Sequence, residues 1–299
     1  MRWVVVGNAG QLGSALERQL EASEGSEVLV AVDLPDVDAS DPAAVKTLFE
    51  GMPSAPDVVM NAAAFTHVDR CEREPESAHR ANALAPELLA VAAREAGARF
   101  VHVSTDYVFP GDTEEPYRED DPPDPRSTYG RSKLEGERRV AAALADALIV
   151  RTSWVFGRGR NFLAAILSQA YERRRAASSE PLRVVDDQRG RPTYATDLAT
   201  AIRALVERGA TGCLHVANEG IATWWELARF CLDAAGFSEL EVERIRTADL
   251  ALDAPRPAHS VLDVSRAAAL GVRLRPWEEA VRAYLTSEES PLAQLGANG

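Results

Sequence analysis

The sequence predicts an α/β fold: a Rossmann-type, doubly wound parallel sheet joined to a smaller mixed α/β domain. Short apolar strands alternate with helical patterns through the first half of the 299 residues. Such βαβ alternation favours a parallel sheet that is covered by helices on both faces. A glycine-rich turn joins the first strand to the first helix, and the second half of the chain is less regular. These features indicate one large domain and one small one.

The elements of the first half are recognised by their apolar spacing. Residues 2–6 form a short apolar strand, and residues 11–20 place leucines at helical spacing. A second strand, 28–32, ends at Asp33. A serine and an aspartate at 40–41 can cap the next helix, because their side-chain oxygens accept from free backbone N–H groups. The remaining elements of this half are predicted as three strands and two helices: 58–60, 100–103 and 148–151, and 78–96 and 129–143.

The second half is predicted to contain four helices and two strands: 161–175, 197–207, 223–235 and 277–285, and 182–185 and 214–216. The spacing of Thr223 and Glu226 is typical of a capping box, in which each residue satisfies a backbone N–H of the other. The proline-rich and acidic segment 111–125 is predicted to be a solvated loop, with a lid as the alternative. Residues 287–299 are predicted to be a frayed tail.

Composition and charge restrict the class of partner. The chain has 33 Lys and Arg against 46 Asp and Glu, and the formal charge of −13 argues against a nucleic-acid or anionic-membrane surface. The three cysteines, Cys71, Cys213 and Cys231, show no metal-binding spacing and suit a reducing cytoplasm as free thiols. We expect no signal peptide, and no apolar run approaches the roughly 18 residues of a membrane span.

A glycine fingerprint follows the first strand, because Gly7, Gly10 and Gly13 recur every third residue and open the first helix. Such glycines permit a tight turn and let a pyrophosphate approach the helix N-terminus. Asp33 ends the second strand, where a carboxylate can accept from ribose hydroxyls or can merely begin a turn. The other residues predicted to contact a dinucleotide are those of the loop, those beside the adenine and those at the third strand's end: Gln11, Leu12, Asp38, Ala39, Ala62, Ala63 and Ala64.

Tyr129 and Lys133 are four residues apart and therefore share one face of the helix 129–143. A neighbouring ammonium favours the phenolate, so we expect Lys133 to bring the pKa of Tyr129 from about 10 toward neutrality. Thr105, just beyond the strand 100–103, can share a substrate oxygen with this phenol. Together with the dinucleotide loop, these residues predict carbonyl/alcohol redox chemistry, and Lys133 can also bind the nicotinamide ribose.

Ordered runs over nearly the whole chain resemble the dTDP-4-dehydrorhamnose reductase family of extended short-chain dehydrogenases/reductases. The runs are GQLG at 10–13, NAAAFTHVD at 61–69, STDYVF at 104–109, YGRSKLEGE at 129–137, RTSWVF at 151–156, DDQRGRPT at 186–193 and RPAHSVLD at 256–263. The runs around Trp154 and Gln188 are more specific than the tyrosine–lysine pair. The resemblance implies NAD(P)H-dependent reduction of the C4 keto group of dTDP-4-dehydro-β-L-rhamnose.

The resemblance also implies roles for individual residues. Tyr129 donates the proton, Lys133 lowers its pKa and holds the cofactor, and Thr105 tunes the carbonyl. Four residues are expected to line the sugar site: Thr66, Val68, Asp106 and Trp154. Three more are candidates near the nucleotide diphosphate: Asn161, Arg191 and Arg256. No metal is carried over, because Ala15 stands where some relatives would have a metal-binding glutamate.

The cofactor is expected to be NADPH or NADH, because relatives accept NADPH and often NADH, and no arginine follows Asp33. The expected partner is a small-molecule nucleotide sugar, and a homodimer is the candidate assembly. We assign 1–157 to the Rossmann domain, with 184–217 returning to it, and 158–183 and 218–299 mainly to the substrate-binding domain.

Three other functions stay open from the sequence. Another 4-keto-6-deoxy nucleotide sugar would suit the same motifs. A dehydratase or epimerase of the same superfamily is disfavoured, because dehydratases typically follow the threonine with an Asp-Glu pair and here Tyr107 follows Asp106. A non-catalytic NAD(P)-binding subunit, like the regulatory subunit of methionine adenosyltransferase, is disfavoured by the intact Thr105, Tyr129 and Lys133.

Overall fold

The computed structural model describes residues 1–292. Its longer strands are β1 (Arg2–Val6), β2 (Glu27–Val32), β3 (Val58–Asn61), β4 (Arg99–Thr105) and β5 (Leu148–Thr152). The later strands are β6 (Val155–Phe156), β7 (Leu182–Val185), β8 (Arg189–Gly190), β9 (Thr193–Tyr194), β10 (Gly212–His215), β11 (Ala222–Thr223) and β12 (Val242–Ile245).

The helices of the first half are α1 (Gln11–Glu21), α2 (Pro42–Glu50), α3 (Val68–Arg73), α4 (Pro75–His79), α5 (Ala85–Glu95) and α6 (Thr128–Ala143). Those of the second half are α7 (Phe162–Arg175), α8 (Ala195–Glu207), α9 (Trp224–Ala234), α10 (Ser265–Ala269) and α11 (Trp277–Thr286). A π-helical turn at Arg80–Leu84 joins α4 to α5, and 3₁₀ turns occupy Asp106–Val108 and Thr247–Asp249.

Six strands form one parallel sheet in the order β10-β5-β4-β3-β1-β2. The order reverses at β1, which has β2 on one side and β3 on the other. Ligands of open α/β sheets bind outside the carboxyl ends of the strands at such a reversal. The predicted doubly wound parallel sheet is therefore confirmed, and its carboxyl edge is the place to look for a site.

Successive residues of β1 point to opposite faces of the sheet, as a pleated strand requires. Val5 packs on one face in a core that includes Leu16 of α1 and Ile202 of α8. Val4 packs on the other face in a core that includes Leu89 of α5 and Val140 of α6. Helices thus cover both faces, which explains why the strands consist of nearly continuous apolar residues.

A second core lies outside the large sheet and is built from α7, α9, α11 and β7, with members such as Leu167, Leu227 and Tyr284. In this half, β7 pairs with β12, β8 with β11 and β6 with β9. Residues 184–217 were predicted to return to the Rossmann domain, and β10, within this segment, is an edge strand of the large sheet. Residues 184 and 185 lie instead in β7, and Val184 belongs to the second core.

Several elements differ from the sequence predictions. The helix predicted at 78–96 begins earlier and contains the π turn, and α3 and α10 were not predicted. The segment 111–125 is not simply a solvated loop, because Tyr117 is buried, stacks on Phe109 at 4.3 Å and donates its backbone N–H to Val261. The predicted tail is anchored at Glu289, which accepts from the Tyr194 hydroxyl at 2.9 Å, and its residues 293–299 lie outside the described part.

Candidate active site

The glycine loop packs tightly between β1, β3 and α1. Gly7 has φ +90°, and a Cβ there would lie 2.4 Å from the backbone nitrogen of Ala63. A Cβ on Gly13 would lie 2.1 Å from the carbonyl oxygen of Gly7. Both positions therefore require glycine, one for its backbone conformation and both for close approach. The predicted loop residues Gln11 and Leu12 begin α1 directly after this turn.

The N-terminus of α1 is suited to an anion. Its N-cap, Gly10, supplies no side-chain cap, and the first turn contains no acidic residue. A Cβ on Gly10 would approach only the Gly7 carbonyl, at 3.3 Å. Three buried polar atoms along this edge of the sheet have no partner within the described residues: Gln11 Oε1, Ser104 Oγ and Thr152 Oγ1. Open N–H groups and unpaired polar atoms together fit a dinucleotide.

Asp33 lies against the glycine loop. Its carboxylate accepts from the backbone N–H of Ala9 at 3.1 Å and from that of Leu34 at 2.8 Å. Asp38, nearby in sequence, accepts from Ser40 and from the exposed Arg80, whose guanidinium is 3.0 Å away. Arg80 was not singled out from the sequence, and it places a positive charge beside the predicted adenine residues Asp38 and Ala39.

The first turn of α6 is fixed from three directions. The Ser127 side chain caps it by accepting from the N–H of Gly130 at 3.1 Å. Glu72 of α3 accepts from both the N–H and the hydroxyl of Thr128, at 2.7 and 2.5 Å. A Cβ on Gly130 would lie 2.2 Å from the Tyr107 carbonyl, so α6 touches the turn after β4. This contact brings Tyr129 to the end of β4.

Asn82, in the π turn, ties the loop after β3 to α6. Its side chain accepts from the N–H of Phe65 at 2.8 Å and donates to the Phe65 carbonyl and to the Ser132 hydroxyl. A Cβ on Gly136 would lie 2.1 Å from the Asn82 carbonyl. The predicted residues Thr66 and Val68 follow this anchored loop, with Thr66 exposed and Val68 opening α3.

The structure brings Thr105, Asp106 and Tyr129 together. The Thr105 hydroxyl interacts with the Tyr129 phenol and donates to Asp106 at 3.0 Å. Asp106 is almost fully buried, and its other oxygen accepts from the Ser260 hydroxyl at 2.5 Å. Burial raises the pKa of Asp106 to about 6, against the lowering effect of these hydrogen bonds. Asp106 therefore holds Thr105 in position, a contact that adds to the sugar-lining role predicted for it.

The expected lowering of the Tyr129 pKa is not found in this structure. Burial raises the pKa of Tyr129, the Thr105 hydroxyl opposes that shift, and the Asp106 charge adds to it. Lys133 points into the sheet instead: its Nζ donates to the Val103 carbonyl at 2.7 Å and lies 3.5 Å from Nε2 of His102. Burial lowers the pKa of Lys133 to about 8, although the Glu137 charge opposes this.

Trp154 has a backbone conformation that is unusual for a bulky residue, with φ +48°. Its ring stacks on Trp224 at 3.7 Å, and Phe162 lies 4.6 Å from the same Trp224 ring. Trp224 donates to Gln188 at 3.0 Å, and a Cβ on Gly190 would strike the Trp154 ring at 2.4 Å. Trp224 was not predicted as a site residue, although its position beside the Thr223 cap could have drawn attention to it.

The three diphosphate candidates already have protein partners. Asn161 caps α7 and donates to the Gly157 carbonyl at 2.6 Å, so its role in the structure is that of a helix cap. Arg191 donates to two backbone carbonyls, and burial lowers its pKa. Arg256 pairs with Asp69 of α3 at 2.7 Å. Arg191 and Arg256 must exchange or share these contacts to bind a diphosphate.

Membrane spans and clusters of metal ligands are two further features that bear on the class of function. Within residues 1–292, no helix is both long and apolar enough to cross a membrane. In the same part of the chain, no group of three or more His, Cys, Asp or Glu side chains is placed to hold a metal ion.

Comparison with known proteins identifies the family. The family described as RmlD substrate binding domain matches residues 1–290. The chain is 40% identical over 294 residues to dTDP-4-dehydrorhamnose reductase of Mycobacterium tuberculosis, covering 96% of this chain and 93% of that one. It is also 40% identical over 304 residues to the probable dTDP-4,6-dihydroxy-2-methyloxan-3-one 4-ketoreductase of Streptomyces antibioticus, covering 99% and 100%.

A solved structure agrees with these sequence relatives. The crystal structure of dTDP-4-dehydrorhamnose reductase from Bacillus anthracis in complex with NADP matches with a TM-score of 0.85 at 32% identity, covering 95% of this chain and 98% of that one. The fold, the glycine loop and these matches lead to one assignment: the chain belongs to the dTDP-4-dehydrorhamnose reductase family of extended short-chain dehydrogenases/reductases.

Proposed function

We propose that this protein uses NADPH or NADH to reduce the C4 keto group of dTDP-4-dehydro-β-L-rhamnose, giving dTDP-L-rhamnose. The observation that carries the proposal is that Thr105, at the end of β4, and Tyr129, in the first turn of α6, lie together at the carboxyl edge of the sheet, where Gly130 packs against the Tyr107 carbonyl. The glycine loop opens at that same edge, because β1 and β4 run parallel within one sheet. A proton donor and a dinucleotide site therefore face one crevice.

The bound cofactor supplies the hydride, and the protein supplies the proton and the positioning. Tyr129 gives its phenolic proton to the C4 oxygen as that oxygen gains negative charge and becomes the stronger base. Thr105, oriented by Asp106, lies where it can share the C4 oxygen. Lys133, one helical turn after Tyr129, would exchange its contact with the Val103 carbonyl for one with the nicotinamide ribose.

The substrate assignment is supported by the aromatic wall and by the sequence relatives. Trp154 and Trp224 stack into a flat apolar surface that suits the face of a deoxysugar. Thr66 and Val68 follow the loop that Asn82 anchors, and Arg191 and Arg256 supply positive charge for a diphosphate in a protein of net charge −13. In this proposal the tryptophans, Thr66 and Val68 contact the sugar, and the two arginines contact the diphosphate.

The test supplies dTDP-4-dehydro-6-deoxyglucose, the upstream epimerase and NADPH or NADH, and follows cofactor oxidation and the product sugar. The expected product is dTDP-L-rhamnose. A matched reaction without the epimerase shows whether the 4-keto-6-deoxyglucose nucleotide is itself reduced. No cofactor oxidation in either reaction, by folded protein that binds NADPH, contradicts a reductase and favours a non-catalytic binding subunit.

A second substrate is favoured by one relative. The Streptomyces antibioticus protein, at the same 40% identity, is named as a 4-ketoreductase of a different dTDP-linked sugar. Reduction of another dTDP-4-keto-6-deoxysugar by the same Thr105 and Tyr129 is therefore the alternative. Comparison of kcat/KM for the two sugars decides between them.

We also propose that the protein acts in the cytoplasm as a homodimer. Its three cysteines are free, which suits a reducing compartment. An apolar groove of about 620 Å³ between α2 and α5, lined by residues such as Val45, Phe49, Leu88 and Val91, offers a surface for a second copy. Sedimentation should give twice the 32.4 kDa chain mass, and a monomer at micromolar concentration contradicts the dimer.

A further inference from the structure

We propose that His102 is a positioning residue that favours the uncharged amine form of Lys133, through a hydrogen-bond chain that begins at the backbone of Ala63. The chain runs from Ala63 to Asn61, then to His102 and finally to Lys133. Its catalytic consequence rests on the proposed reductase function, but its effect on Lys133 does not.

The orientation of the Asn61 amide is fixed by its first contact. The backbone N–H of Ala63 is 3.1 Å from Oδ1 of Asn61. A backbone N–H can only donate, so the atom that faces it must be the amide oxygen. The amide nitrogen of Asn61 then faces Nδ1 of His102 at 3.2 Å, and both side chains are buried.

This orientation determines the tautomer of His102. The Asn61 amide nitrogen donates, so Nδ1 of His102 must accept and carries no proton. A neutral imidazole has its single proton on the other nitrogen, Nε2. Burial and the neighbouring Lys133 charge hold the pKa of His102 well below its ordinary value, so the ring is neutral. Nε2–H therefore points toward Lys133 Nζ, 3.5 Å away.

The Nε2–H group of His102 interacts differently with the two protonation states of Lys133. An ammonium has only donors to present to Nε2–H, whereas an amine has a lone pair that can accept from it. Both forms keep a donor for the Val103 carbonyl at 2.7 Å. The His102 tautomer therefore stabilises the amine relative to the ammonium, in the same direction as burial.

The other charged groups near Lys133 do not reverse this effect. Glu137, on α6, favours the ammonium, but it is held by Arg151 of β5 through contacts of 2.9 and 2.6 Å. Tyr129, one turn earlier on α6, holds its proton because burial raises its pKa. Lys133 is thereby made a stronger acid than an ordinary lysine. In the proposed reductase, the Lys133 charge beside the cofactor is therefore lost at a lower pH than for an ordinary lysine.

The sequence allows a direct measurement on the protein itself. The chain contains two lysines, Lys46 and Lys133, and the Lys46 side chain is 72% exposed. Protein labelled with ¹³C at the lysine Cε therefore gives two resonances, one from a surface group and one from the site. Titration of the labelled protein needs neither substrate nor cofactor, so failure of the proposed reductase activity leaves the result interpretable. The expected Lys133 midpoint is near 8.

Two variants should remove the stabilisation of the Lys133 amine by the hydrogen-bond chain, each in a different way. In His102→Gln, the side-chain amide can turn its oxygen toward Lys133 without adding charge. In Asn61→Asp, the carboxylate can only accept, so it draws the imidazole proton to Nδ1 and leaves the Nε2 lone pair facing Lys133. Each variant should raise the Lys133 midpoint by about one pKa unit or more. The matched control is His215→Gln, which alters another buried histidine of the same sheet and should leave the midpoint unchanged.

The outcomes separate clearly. Higher Lys133 midpoints in both variants, with an unchanged midpoint in the control, support the proposed hydrogen-bond chain. A wild-type Lys133 that titrates near the ordinary lysine value of about 10.4 overturns the proposal. An unchanged midpoint in a folded variant at His102 or Asn61 overturns it as well, and if one variant does not fold, the other gives the answer. Activity supplies a second readout, because the pH profile of kcat should shift upward with the midpoint in both variants.

Discussion

Replacing Tyr129 with phenylalanine should remove the proton donor and little else. The ring packs edge-on against Tyr107 at 5.6 Å, and the first turn of α6 is held by Ser127 and Glu72, none of which needs the phenolic oxygen. The loss therefore falls on the chemical step. General acid catalysis is typically worth about 10²–10⁴-fold, and we expect kcat to fall by that factor. Such a loss corresponds to about 3–5 kcal/mol of transition-state stabilisation.

The assay compares steady-state kinetics and cofactor binding in Tyr129→Phe, in wild type and in a matched variant. Tyr107→Phe is the matched control, because it removes a phenol oxygen from the partner ring of the same aromatic pair. NADPH and NADH should bind Tyr129→Phe nearly as well as wild type, and Tyr107→Phe should keep most of its kcat. Wild-type kcat in Tyr129→Phe, or an equal loss in the control, refutes the assignment of Tyr129 as the proton donor.

Three further predictions test the cofactor loop and the buried charges. Asp33→Ala should shift the ratio of kcat/KM toward NADPH, because a 2′-phosphate would no longer face that carboxylate; an unmoved ratio means that Asp33 does not contact the ribose. Burial raises the pKa of Asp106 in the folded state to about 6, above its ordinary value of 3.8. The proton on Asp106 therefore stabilises the fold below about pH 4, and this stabilisation, about 3 kcal/mol, is lost as the pH rises through 6. Asp106→Asn should flatten that part of the stability–pH curve from urea unfolding, and a slope equal to wild type contradicts the shift. Arg151→Met should cost about 3–5 kcal/mol by leaving the buried Glu137 charge unpaired, whereas adding Glu137→Leu should restore most of the loss, and additive losses in the double variant would disprove that pairing.

The parts of the fold that the sequence predicts well are those set by local rules. Apolar alternation and the glycine turn identify β1, α1 and β2, because a strand, a tight turn and a helix each need particular residues nearby in sequence. The capping box at Thr223 is confirmed for the same reason, since both of its hydrogen bonds lie within one turn of α9. Such features need no knowledge of distant partners.

The features that the sequence did not reveal depend on residues far apart. Ser260 and Asp106 are 154 positions apart, and no periodicity indicates that their side chains meet. The π turn around Asn82 interrupts a helix whose alanine pattern gives no sign of a break. The Asn82 side chain there contacts Phe65 and Ser132, which are 17 and 50 residues away in sequence, so local spacing cannot reveal it. The positive φ of Trp154 likewise arises from packing against other segments.

The error over the Tyr129 pKa has a physical cause that bears on the direction of the reaction. Four-residue spacing places Tyr129 and Lys133 on one helix face, but the Lys133 side chain extends to the Val103 carbonyl, and burial dominates both groups. The pKa of Tyr129 is raised and that of Lys133 is lowered, so the phenol keeps its proton while the lysine releases one more easily. A reductase needs this combination, because its acid must be protonated when the carbonyl oxygen becomes basic. A phenol with a depressed pKa would spend part of its time as phenolate and could not protonate the product in those molecules. The raised pKa of Tyr129 therefore favours proton delivery from its phenol to the substrate.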